Sequence, residues 1–337
     1  MHANVMGSFP LAAAILTMAL PSVLASCAHG TQLFARNEND AGQEVVDFSY
    51  SGANGPENWA TLAPENAVCA TGRNQSPIDM ISSSFKVIPG DSLNLKIADM
   101  KAGAEFVNLG TTVEVKPAGG NGGTMTVDGT QYTMRQFHFH LPSEHLDAGT
   151  QRAMEMHMVF ESSDSQLAVI GTYIDVVGAA AENTTGPRCG DSASKAARRQ
   201  ATADQAKGHG LRFRSLENRQ KGSNSTGTSP LLETVLSNVG EIAKTDAKMT
   251  TPPLVMSEVV SLLSQGDFQS YSGSLTTPPC SEGVTWLVST QKLSIQASTF
   301  AGARDVIVFN SRPTQNAPGQ ENVLSGGRNR TAIATYH

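Results

Sequence analysis

Short runs of alternating apolar and polar residues occupy much of the chain, as in Thr112-Val113-Glu114-Val115-Lys116 and Met125-Thr126-Val127, with glycine-rich turns near residues 51–55 and 119–123 between them. Period-two alternation bounded by turn residues predicts half-buried β-strands. Such runs continue to Tyr173 and Ile174, and the unbroken apolar run at 167–170 reads as a fully buried strand. From about 178 to 229 the pattern stops, and Ala, Gly, Ser, Thr, Asn, Gln, Lys and Arg dominate. A stretch so poor in apolar residues cannot bury enough area to offset its ordering entropy. It is expected to be a low-complexity surface insert, at most locally helical near Lys195 to Lys207. After it, residues 231–242 carry helical apolar spacing and predict one peripheral helix. The chain therefore reads as mainly β with a few helices.

The densest chemistry sits in two of the predicted strands. Residues 136–145 read Q-F-H-F-H-L-P-S-E-H, and residues 155–159 read E-M-H-M-V. Successive side chains of a strand leave opposite faces, so His138 and His140 share one face while Phe137 and Phe139 take the other. Glu155, His157 and Val159 likewise share a face opposite Met156 and Met158. Antiparallel pairing of the two strands would gather three imidazoles. Three neutral imidazoles with a fourth position left to water make a catalytic zinc site, whereas structural sites close all four positions, usually with thiolates. No cysteine lies nearby. Gln136 and Glu155, each two residues before a histidine and on its face, suit the partners that fix a ligand's tautomer. A lone histidine in such a strand is more often a hydrogen-bonded core residue; the H-x-H with a third histidine behind a same-face acid favours a metal. His138-x-His140-x-x-x-Glu144 also fits a cupin-type metalloenzyme, but the second cupin motif, with P-x-G before a later histidine, is missing ahead of His157.

Taken with R-N-Q-S-P-I-D at 73–79, Y-S-G-S-L-T-T-P-P at 271–279, V-T-W at 284–286 and N-S-R-P at 310–313, these motifs resemble the α-class carbonic anhydrases from about residue 46 to 328. The resemblance implies a mainly β (α+β) fold of one domain, here 41–337, built on a large twisted, mostly antiparallel central sheet with a few short peripheral helices. It implies zinc on His138, His140 and His157, and reversible hydration of carbon dioxide to bicarbonate by a zinc-bound hydroxide. Thr276 would orient the nucleophile through Glu144, Thr277 would help bind bicarbonate, and Tyr50 would belong to the water network of the cavity. Val159, Val169, Leu275, Val284 and Trp286 would wall the apolar carbon dioxide pocket, although each could equally be ordinary core. Gln136, Glu155 and the main-chain carbonyl of Asn310 would orient His138, His157 and His140. Sulfonamide inhibitors and a side esterase activity are expected. A non-catalytic binding module on the same fold is the other alternative, and the intact ligand set argues against it. The family motif N-x-G-H, which ends in a proton-shuttling histidine, corresponds to Asn108-Leu109-Gly110-Thr111. Threonine does not titrate near neutrality, so proton transfer is expected to limit turnover, with Glu114 or external buffer as carrier.

Composition adds a setting. A net charge of −6 and a pI near 5.8 over 337 residues give no reason to expect a nucleic-acid or anionic-membrane partner. The apolar run from Phe9 to Leu24 ends in small residues and reads as a signal peptide over 1–28, though without Lys or Arg before it. It is short for a membrane span. Cys27 offers an alternative, lipid attachment in a bacterial export route. Of four cysteines, Cys189 falls in the insert, and the resemblance implies that Cys69 pairs with Cys280. Closing that loop stabilises by about 4 to 5 kcal/mol in the chain-entropy model. Asn183, Asn224 and Asn329 stand in N-x-S/T sequons, candidates for glycosylation of an exported protein, expected as a monomer or homodimer.

Overall fold

The computed structural model describes residues 48–81, 85–178 and 227–325. The leader with Cys27, nearly all of the expected insert with Cys189, and the sequons at Asn183, Asn224 and Asn329 lie outside the described residues.

In chain order the elements are α1 (Trp59–Leu62), α2 (Val68–Thr71), β1 (Asp79–Met80), β2 (Lys86–Pro89), β3 (Glu105–Asn108), β4 (Val113–Lys116), β5 (Thr124–Val127), β6 (Thr130–His140), β7 (Leu146–Asp147), β8 (Thr150–Gln151), β9 (Met154–Ser162) and β10 (Leu167–Val177). Then follow α3 (Pro230–Leu236), β11 (Lys248–Thr250), α4 (Ser257–Gln265), β12 (Asp267–Ser274), β13 (Glu282–Ser289), β14 (Leu293–Gln296) and α5 (Ala297–Ile307). Eleven strands form one sheet whose main path runs β11-β3-β4-β6-β9-β10-β13-β12-β2, with β5 on β6 and β14 on β10. Most pairs are antiparallel; β10 runs parallel to β13 and β14. β1, β7 and β8 make a separate three-stranded sheet. One open sheet of this size is not the double-sheet jelly roll of a cupin.

The two ligand-bearing strands, β6 and β9, lie side by side near the middle of the sheet, with His138 directly opposite His157 and His140 opposite Glu155. One face of the pair packs into the main core, where Phe137, Phe139, Met156 and Met158 join Phe106, Val113, Val115 and the helices α3, α4 and α5. Met134 and Phe137 are three apart, which unbroken alternation would send to opposite faces. A β-bulge between Met134 and Gln136 absorbs Arg135 and keeps both in that core.

The predicted helix at 231–242 is two pieces: α3 stops at Leu236 and a 3-10 turn, Val239–Ile242, follows. The Asn238 amide donates to the Thr234 carbonyl at 2.7 Å, so a side chain takes an orphan carbonyl at the break, and Gly240 adds little helical preference. Apolar residues of both pieces are still buried, which is why their spacing reads as one helix. Cys69 and Cys280 are joined in a disulfide across 211 positions, within a small cluster containing Phe48 and Trp59. α5 ends at Val308, whose φ of 58° is unusual for a β-branched residue. Residues 310–312 then run under the ligand strands.

Candidate metal centre

Burial, tautomer and direction are set for each histidine by a different element. Gln136 Oε1 accepts from His138 Nδ1 at 2.8 Å, the Asn310 carbonyl accepts from His140 Nδ1 at 2.8 Å, and Glu155 Oε1 accepts from His157 Nε2 at 2.9 Å. With those ring nitrogens carrying the protons, the other three are bare. His138 Nε2 and His140 Nε2 stand 3.1 Å apart, and His157 Nδ1 has no hydrogen-bond partner among the described residues. The three nitrogens lie within 4.8 Å of one another. Lone pairs pointed at one another repel unless a cation sits between them. Burial, reinforced by the neighbouring histidines, holds the His138 ring well below its ordinary pKa and that of His140 at about 3. The rings therefore stay neutral, the state in which imidazole binds a metal. This donor set fits a divalent zinc ion with an open position.

Of the acids around the rings, Glu155 has both oxygens hydrogen-bonded. Burial alone would push the Glu155 carboxyl up, but the facing His145 and His157 outweigh it and hold the group well below the usual carboxylate range. Its Oε2 accepts the main-chain N–H groups of Glu144 and His145, and Oε1 also accepts His145 Nδ1 at 2.7 Å. Adding a Cβ at Gly171, the residue paired with His157, would bring it 2.8 Å from that same Oε1. Glu144 is pushed up to about 7 by burial, while the Arg312 main-chain N–H, 2.9 Å from Oε1, and the Thr276 hydroxyl pull the other way.

Val159, Val169, Leu275, Val284 and Trp286 belong to one buried cluster on the histidine face. Trp286 brings its ring 4.8 Å from that of His157 and donates from Nε1 to the Ser274 carbonyl. Thr276 and Thr277 are buried on the loop after β12. Tyr50 packs edge-on against Phe48 and Trp59; burial and the Glu144 charge push its hydroxyl pKa well up, so it stays protonated. Thr111 lies beside this assembly, its carbonyl accepting from Asn310 Nδ2 at 3.0 Å. Glu114, expected as an alternative proton carrier at the rim, is instead fully buried, its Oε1 3.0 Å from Lys116 Nζ. The reason is register: Glu114 stands opposite His138 in the sheet interior.

Three further positions brace the site from behind. Arg312 is buried beneath the site; besides its bond to Glu144, its guanidinium donates to the carbonyls of Ser76 and Cys69 and to Gln75, and lies over Trp59. His145 bridges Glu155 to Tyr271, whose hydroxyl is 2.8 Å from Ser76 Oγ. Gly273 makes room for that serine, since a Cβ there would fall 2.2 Å from Ser76 Oγ. Their motifs were legible, but their partners lie up to 243 positions away.

The family model for eukaryotic-type carbonic anhydrases matches residues 54–183 and 215–323. The chain belongs to the carbonic anhydrase family. Within it, a carbonic anhydrase of Nostoc sp. is 29% identical over 287 residues, covering 85% of this chain and 89% of the relative. Among solved carbonic anhydrase structures, the fungal α enzyme from Aspergillus oryzae superposes with a TM-score of 0.64 at 29% identity, covering 82% of this chain and 97% of that one. The α-carbonic anhydrase of Thermovibrio ammonificans in complex with sulfanilamide gives 0.59 at 28%, with 82% and 98% covered. The α-class fold expected from the motifs is thus the fold of this chain.

Proposed function

We propose that the protein is a zinc-dependent carbonic anhydrase that interconverts carbon dioxide and water with bicarbonate and a proton. The observation that carries this reading is the convergence of three neutral, proton-free ring nitrogens, each fixed by a partner on the other side of its ring. His138, His140 and His157 would hold the ion. Once bound, zinc supplies a Lewis acid that brings the pKa of a water ligand to about 7.

The chain itself supplies orientation and shelter. The Thr276 hydroxyl interacts with the Glu144 carboxyl and favours its charged form; with its hydrogen turned to Glu144, its oxygen would offer lone pairs and accept a hydrogen bond from the nucleophile, aiming it. Carbon dioxide has no dipole for charges to grip, and the apolar wall of Val159, Val169, Leu275, Val284 and Trp286 suits it. Thr277 is assigned to bicarbonate and Tyr50 to the bounding water network. Proton export is the weak step: Thr111 cannot titrate and Glu114 is buried, so buffer must carry the proton. Sulfonamides of the kind bound in the Thermovibrio structure are expected to inhibit, and activated esters to be hydrolysed slowly. The disulfide supports an exported location, because cytosolic thiols are kept reduced.

Stopped-flow hydration with a pH indicator, run on protein of known zinc content across an imidazole series, tests both parts. Folded protein containing zinc but lacking hydration activity would leave a binding module as the reading. A maximal rate that does not respond to imidazole would sink the proton-transfer limit, and Thr111→His should raise turnover at low buffer without altering zinc content.

A further inference from the structure

A groove of about 560 Å³ opens at the end of the β3–β4 pair away from Thr111, and Gln136, the partner of His138, forms part of its wall. Lys116 and Arg135 line it too. β4 and β6 pair at Glu114 with His138 and Val115 with Phe137; one further step of that register sets Lys116 across from Gln136, and the bulge turns Arg135 out beside them.

Each cation is tethered from behind. Lys116 Nζ is 3.0 Å from Glu114, and Arg135 Nε is 3.0 Å from Glu161 while its Nη1 donates to the Gly120 carbonyl. The two carboxylates are 0% and 4% exposed, whereas the cations are 31% and 34% exposed. The acids therefore stand behind and the positive ends face the groove. Hydrogens are left over: Arg135 Nη2 donates to nothing among the described residues, and Lys116 has three N–H bonds for one carboxylate contact. Gln136 has its oxygen committed to His138 and offers the amide N–H groups. On β3, Glu105 stands directly opposite Lys116 in register, and its charge is balanced by Lys248 at 3.6 Å. Three neighbouring side chains that donate and do not accept complement a ligand that accepts and does not donate.

We propose that this groove binds a small oxyanion, a carboxylate or hydrogen phosphate, through Lys116, Arg135 and the Gln136 amide. The binding claim stands without the carbonic anhydrase reading.

Chelator-treated full-length protein is titrated with inorganic phosphate by calorimetry at low ionic strength, so that phosphate cannot sit on zinc. Saturable one-to-one binding is expected. In Arg135→Gln/Glu161→Gln, which removes both charges of the pair and leaves no buried carboxylate alone, binding should weaken about tenfold or more. Glu161→Gln alone should bind phosphate at least as tightly as the parent, because Arg135 loses its competing partner. If the double variant does not fold, Lys116→Gln on the neighbouring strand carries the same test. Phosphate that binds only the zinc-loaded protein, or binds the double variant as well as the parent, overturns the proposal. Binding without any hydration activity would leave the groove intact and reject the reaction instead.

Discussion

β6 and β9 carry two faces governed by different physics. Toward the main core, Phe137 and Phe139 meet edge to face at 6.0 Å among Met134, Met156 and Met158. Their stabilisation scales with area removed from water, and no single atom needs a named partner. Toward the site, His138, His140, His157, Glu155 and Gln136 are as deeply buried, yet every one is held by a directed hydrogen bond. The same backbone therefore has one face that tolerates reshaping at a cost in stability and another that tolerates almost none without loss of the site.

Substitutions on the two faces should separate these currencies. The largest effect is expected for His157→Ala, which should take zinc content from stoichiometric to undetectable by elemental analysis and abolish hydration while the fold, followed by circular dichroism, persists. Next comes Phe139→Ala, expected to cost about 3 to 5 kcal/mol of unfolding free energy in denaturant titrations, with zinc affinity of the folded fraction unchanged. A parallel loss of affinity would mean that the faces are not separable. Glu155→Gln should weaken zinc binding roughly 10- to 100-fold in chelator competition, because an amide in place of the carboxylate cannot accept from every donor that converges there. Smallest, and in the opposite direction, Val308→Gly should stabilise by about 1 kcal/mol, since a β-branched residue at φ 58° is strained and glycine is not; an unchanged midpoint in denaturant would show that the strain is relieved elsewhere.

Much of this was legible before any coordinates. Alternation set which residues of 136–140 and 155–159 share a face, and two histidines two positions apart on one strand face suit metal binding. What alternation cannot report is a contact closed by distant chain. Arg312 looks like any arginine in a loop, and its worth comes from carbonyls at Cys69 and Ser76. Glu114 reads as a surface carboxylate in an alternating run; only the pairing with His138 shows that its face is the inner one. The break at 237–238 was invisible because the apolar positions on both sides still point at the core.

Asn310 merits a last thought. Its carbonyl fixes His140, its Oδ1 accepts from the Leu141 N–H, and its amide nitrogen ties the Phe139 and Thr111 carbonyls together. During synthesis all three ligands emerge about 150 residues before this clasp, by the spacing from His157 to Asn310. A nascent chain stalled in that interval would own every ligand and still lack the tautomer lock on one of them, so any ion captured early would be held loosely until the last part of the domain arrives.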